Sequence, residues 1–236
     1  MSKTLPSYVT GSGDTIKLTG TSSMPCASWS LPAVNSCPGS KVSVRALGDE
    51  AVCNECYATK GFYRMGNVQD AQQSRMNWVT ESLQENDGAE LVTGLVRMIT
   101  DDVAKRGEPI FRVHDSGDLF SVAYIRAWIA IAETLPDVQF WVPTRSHIVP
   151  SLLDSILSLA ALPNVVVRPS GLAFDELPPV VPGLAAGTTV IRSLPVLQDM
   201  PGVKLCPKTD PNDGRSNCED CRNCWEGSDP IAYFVH

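Results

Sequence analysis

Cys53 and Cys56 form a C-x2-C pair, a spacing that lets two thiolates of one tight loop reach the same ion. Cys37 stands earlier in the same stretch and can bring a third sulfur from a neighbouring turn. A second group closes the chain as C-x11-C-x2-C-x2-C, made of Cys206, Cys218, Cys221 and Cys224. Only Cys26, of 8 cysteines, stands outside both groupings, close to the first. Two such groups constrain the fold more than any other feature, because each demands that separate turns converge on one point.

How the cysteines are read depends on compartment. The N-terminus MSKTLPSYVTGSGD lacks the apolar core of a secretory signal, so a reducing, cytoplasmic setting is expected and metal ligation is favoured over disulfides. No apolar run approaches the ~20 residues needed to span a bilayer, and no membrane partner is expected. A net charge of −7 gives no support to a general grip on nucleic-acid phosphates. Lys60, Arg64 and Arg75 follow the first cysteine loop and read as a solvated helix face.

At 236 residues and 43% hydrophobic content, one domain with a proper core is expected. It divides into an N-terminal cysteine-loop region (1–66), an α/β core (67–200) and a C-terminal metal-binding segment (201–236). Residues 1–36 carry no sustained period beyond a short strand near 15–19. Apolar recurrence at three to four residues predicts helices over 67–84, 89–105, 122–134 and 149–159. Short apolar runs predict strands over 109–114, 138–142, 164–168 and 188–192, with a further strand near 230–236. The segment 169–187, rich in proline and glycine, reads as a long loop that omits a helix. Alternating strands and helices indicate a partial parallel (β/α) barrel of five to seven strands.

In such architectures active sites gather at the C-terminal strand ends. His114, Asp115, Ser116, Gly117 and Asp118 follow one expected strand, and Thr144, Arg145, Ser146 and His147 the next; Arg168 and Arg192 end two more. His114, Asp115, Asp118 and Arg145 are the catalytic candidates, His114 as a general acid or base near neutral pH. Ser116, Gly117, Asp118, Thr144, Arg145 and Arg168 are candidates for binding a small cofactor. Gly117 would let backbone approach a ligand, and Arg145 or Arg168 would fork onto a carboxylate.

Four thiolates at the C-terminal group suit tetrahedral zinc or a 4Fe-4S cubane equally in number, and the one-plus-three spacing favours iron–sulfur. Three thiolates at Cys37, Cys53 and Cys56 would leave one iron of a cubane without a protein ligand, the arrangement that radical chemistry on S-adenosylmethionine requires. Cys26 is read as a buried thiol or as a fourth ligand that would close that iron.

At SLPAVNSCPGS, VCNECYA, FRVHDSGDLFS and the terminal C-x2-C-x2-CW, the chain resembles the phage gene product eighty-eight family over about 17–225. That resemblance implies a phage-encoded protein in the cytoplasm of an infected host cell and carries almost no biochemistry. More distantly, the CxxCYA loop, the strand ending in G-D-L-F and the strand ending in T-R look like radical S-adenosylmethionine enzymes. This resemblance implies Cys37, Cys53 and Cys56 as cluster ligands, and Gly117 and Asp118 beside the cofactor's amino group. Here C-x15-C-x2-C replaces the family's C-x3-C-x2-C, and SGD stands in for Gly-Gly-Glu. A non-catalytic zinc or iron–sulfur interaction module is the alternative, and no residue identifies a small-molecule or macromolecular substrate.

Overall fold

The computed structural model describes residues 4–21, 23–218 and 220–235. An N-terminal antiparallel hairpin, β1 (Ser7–Val9) and β2 (Thr15–Lys17), leads into an irregular segment. Helix α1 (Pro38–Leu47), a run of 3-10 turns, α2 (Gly66–Glu85) and α3 (Ala89–Arg106) follow. Then come β3 (Ile110–Arg112), α4 (Val122–Thr134), β4 (Gln139–Thr144), α5 (Pro150–Ala160), β5 (Val165–Phe174) and β6 (Thr188–Ile191). The chain ends with β7 (Lys204–Leu205), the short helix α6 (Asn223–Glu226) and β8 (Ile231–Phe234).

β3 to β8 form one six-stranded sheet in the order β3-β4-β5-β6-β8-β7, parallel at every pairing, which makes a half-barrel. Its β3 edge is extended by a strand-like segment. Ser28 bridges Arg112 in parallel, and the Leu31 amide donates to the Ser116 carbonyl at 2.9 Å. The loop carrying Cys37 therefore leaves the same end of the barrel as the loop after β3.

Period-two alternation divides the side chains between two faces. Phe111, Phe140, Val142, Val165 and Val167 join the main core with apolar residues of α2 to α5, including Val79, Leu95, Trp128 and Ile156. Ile110 and Trp141 point the other way, into a smaller cluster with Cys26 and Trp225. That inner face is covered by the C-terminal segment. The Trp225 indole donates to the Phe111 carbonyl at 3.1 Å, and its ring meets Trp141 edge-on at 5.3 Å. A trough that would expose apolar surface is thus filled by the chain's own tail.

The helices from α2 to α5 match the periodicity closely, but two elements differ from expectation. α1 buries Gly39, Ser40 and Ser43 while Val42 and Leu47 face outward, so its packed face carries no apolar signal. β5 continues past Arg168 to Phe174, because it changes partner in mid-strand. Its ladder with β4 ends at Pro169 and its pairing with β6 begins at Ser170. The missing proline amide falls at that hand-over, and the helix-free connection shortens to 175–187. Arg75 is a further correction: its guanidinium is buried against Trp29 and donates to the Lys17 carbonyl at 2.8 Å, so it is no solvated face. Among the described residues no helix is long and apolar enough to cross a membrane. His236 lies outside the described residues.

Candidate functional site

A cavity of about 430 Å³ opens at the C-terminal ends of the strands, a size that suits a small ligand. Cys37, Cys53 and Cys56 line one part of it and Cys206, Cys218 and Cys224 another. Each group is assembled from separate pieces of chain. Cys37 is the N-cap of α1, and its side chain makes no capping hydrogen bond to the helix amides. Pro38 follows it at the first helical position, where a missing N–H costs nothing. An ideal Cβ on Gly39 would lie 2.2 Å from the Arg145 carbonyl oxygen, so glycine lets this end of α1 close on the end of β4. Cys53 lies in the 3-10 turn Val52–Glu55, and Cys56 immediately follows it.

Among the described residues, no three His, Cys, Asp or Glu side chains are gathered closely enough to hold a metal ion. Neither cysteine group is gathered into a preformed coordination shell among the described residues. Coordination needs sulfurs about 2.3 Å from the metal, whereas electrostatic influence extends further. At that longer range both groupings exist. Burial pushes the Cys37 thiol up to about 12, with Asp118, Cys56 and Cys53 adding to the rise. Burial raises Cys218, reinforced by Cys206 and Cys221. Cys224 is pushed up to about 12 by burial despite a 3.4 Å hydrogen bond with the Tyr233 hydroxyl. Cys26 belongs to neither group: burial lifts it to about 12, and the charges acting on it are Asp102, Arg112 and Arg106.

The tail is fastened by Arg168, which the sequence places as a cofactor contact. Its guanidinium is wholly buried within β5 and donates to the carbonyls of Asn223, Cys224, Ala186 and Asp229 at 2.5–3.1 Å. With its donors spent on backbone, Arg168 anchors the C-terminal cysteine segment and does not line the cavity.

Other candidates also serve the frame. The Ser116 hydroxyl donates to the Leu31 carbonyl at 2.7 Å and accepts from Gln72 at 2.8 Å. A Cβ added at Gly117 (φ +84°) would lie 2.7 Å from Leu31 Cβ and from Ser36 Oγ, so its close approach is to protein. Asp118 accepts from Thr144 Oγ1 at 2.6 Å, the Leu119 amide at 2.7 Å and the Arg145 amide at 2.8 Å. Burial raises its pKa, and these three donors oppose that rise. His114, the acid–base candidate, is buried. Burial, then the Arg112 charge, lowers it to about 3, so it is neutral at pH 7 and bonds Tyr124 at 3.0 Å. Ser116, Gly117, Asp118, Thr144 and Arg145 all line the cavity, and Arg145, whose Nε donates to the Gly171 carbonyl at 2.9 Å, keeps its outer guanidinium nitrogens for a ligand.

Sequence reading named Asp115 but missed its partners Arg112, Tyr57 and Tyr63 on the same wall. Arg112 donates to Asp115 at 2.9 Å and to the Tyr57 hydroxyl at 3.3 Å, and stacks over Trp141 at 4.8 Å. Tyr57 and Tyr63 both donate to Asp115. Burial alone would lower the Arg112 pKa; Tyr57 and Asp115 more than reverse it. Their only sequence signal is proximity to Cys56 and to the strand end.

The Gene product 88 family matches residues 8–227 of this chain. The chain belongs to the gene product 88 family. Among its relatives are the Gene 88 protein of Mycobacterium phage D29 and that of Mycobacterium phage L5. Each is 38% identical over 96 residues, a match spanning 38% of this chain and 38% of the relative. No solved structure matches the chain.

Proposed function

We propose that this member of the gene product 88 family is an iron–sulfur enzyme working in the cavity between its two cysteine groups. Cys37, Cys53 and Cys56 would hold a 4Fe-4S cluster with one iron free of protein ligands, and S-adenosylmethionine would be the small-molecule cofactor. Cys206, Cys218, Cys221 and Cys224 would hold a second cluster or zinc. The observation that carries the reading is convergence. Thiols from α1, from the turns after it and from the C-terminal tail reach one cavity at the strand ends.

The donor set fits such groups. Soft thiolates select iron–sulfur clusters and zinc, and the cavity wall supplies buried donors without acceptors, at Arg112 Nε and Trp141 Nε1. When bound, a cluster of this kind supplies single electrons to its cofactor. The chain's own residues would do the rest. Arg145 would offer its outer nitrogens to a carboxylate, and Asp118 would hold the Arg145 amide and Thr144 in place. The C-terminal segment, held by Arg168, would keep water from the inner face.

One observation favours a second reading, a non-catalytic zinc or iron–sulfur module. Ser116, Asp118, Thr144 and Arg168 spend their hydrogen bonds inside the protein. Anaerobic purification with iron, sulfide and zinc analysis separates the readings. Iron and sulfide, with 5′-deoxyadenosine and methionine formed on adding reductant and S-adenosylmethionine, support the enzyme. Metal without cleavage supports the module, and absence of any metal after reconstitution defeats both.

A further inference from the structure

We propose that Arg112, Asp115, Tyr57 and Tyr63 form a latch that sets the position of the Cys53–Cys56 turn, with Asp115 a positioning residue and not a proton carrier. The turn region lacks regular support. From Val52 to Arg64 the chain runs through three short 3-10 turns, and its nearest sheet-like attachment is the single bridge of Ala51 to Ala173. Its ion pair of Glu55 with Arg192 is about half exposed on both sides, the kind that holds little in water. Its long-range side-chain hydrogen bonds from Tyr57 and Tyr63 run to Asp115 and Arg112.

Every polar atom of Asp115 is used. Its amide donates to the Trp29 carbonyl at 2.8 Å, and its own carbonyl accepts from the Tyr57 hydroxyl. One carboxylate oxygen accepts from Arg112 Nη1 at 2.9 Å and the other from the Tyr63 hydroxyl. Arg112 completes the ring through Tyr57, and the two phenol rings meet edge-on at 5.7 Å. Tyr57 directly follows Cys56, so fixing its hydroxyl fixes the approach of that sulfur. Asp115 is 4% exposed and its amide is bound to the strand-like edge beside β3, so the latch refers the turn to the barrel itself. The bonds of Arg112 and Tyr63 to the Asp115 carboxylate are of the charge-assisted kind, stronger than neutral ones.

The value of the latch to a metal rests on the function proposed above, but its existence does not, and metal-free full-length protein tests it. The rate at which a thiol-alkylating probe modifies each cysteine is followed by peptide mass spectrometry in wild type and in Tyr57→Phe/Tyr63→Phe. Cys53 and Cys56 are expected to react about tenfold faster in the variant, the effect of losing one to two hydrogen bonds, while Cys37, Cys218 and Cys221 keep their rates. Equal rates at Cys53 and Cys56, or a uniform rise at every cysteine, overturn the latch. If the double variant does not fold, Tyr63→Phe alone is read in the same way. Wild type that takes up no iron or zinc overturns the proposed function and leaves this result standing.

Discussion

Asp118 accepts the hydroxyl proton of Thr144 at 2.6 Å, and this contact joins the loop after β3 to the last residue of β4. The same carboxylate holds the Arg145 amide, so the placement of the Arg145 side chain at the cavity depends on it. Asp118→Asn puts an amide donor where three donors already point. We expect it to cost ~2–3 kcal/mol, read as a lower urea midpoint with an unchanged m-value.

Arg168 is predicted to be a structural residue of the tail. Arg168→Lys keeps a charge but cannot reach four carbonyls with one ammonium, and should cost about 3 kcal/mol. Hydrogen exchange should quicken over 223–229 before it quickens in β4. Equal protection of the tail in wild type and variant would speak against the anchor.

Gly39→Ala should push the first turn of α1 away from Arg145, since the new methyl would stand 2.2 Å from a backbone oxygen. The expected loss is ~2–3 kcal/mol, typical of overpacking against backbone. Gly48→Ala makes a useful contrast: nothing lies within 4 Å of its Cβ position, but φ +56° brings strain without a clash. The two should differ in their effect on Cys37 reactivity, which only the Gly39 change should raise.

His114 gives a pH prediction. Its pKa falls from 6.5 to about 3 on folding, so between those values the unfolded chain binds the extra proton. Its contribution to stability is complete above pH 6.5 and is lost as the pH falls toward 3, at up to about 1.4 kcal/mol per pH unit. His114→Gln, which keeps a polar group beside Tyr124, should flatten the fall of stability below pH 6.5 in urea titrations.

Cys221→Ser tests the C-terminal group on the reading proposed above. At such sites metal-binding free energy is folding free energy. The metal-loaded variant should melt about 5 °C below loaded wild type, and chelator-treated samples of both should melt together.

Much of this molecule was legible from periodicity. α4 spans Val122–Thr134, as its apolar spacing predicts, because its buried stripe of Tyr124, Ile125, Trp128 and Ile131 recurs at three to four residues. α1 was not legible, because it packs through Gly39, Ser40 and Ser43, which leave no hydrophobic trace. The end of β5 was hidden for another reason: Pro169 and Gly171 signal a break in isolation, and only the change of partner strand makes room for them.

The half-barrel's alternating elements, the spacing of the cysteines and the polar residues at the strand ends are all written in local spacing. What those polar residues do depends on long-range packing. A carboxylate or guanidinium in a sequence has no partners. Burial makes each one find them, and the nearest donors for Asp118 and acceptors for Arg168 are backbone groups of distant segments, Arg145 and the carbonyls around Cys224. The same long-range packing set Tyr57 and Tyr63 on Asp115, a meeting of residues more than fifty positions apart that no local pattern encodes.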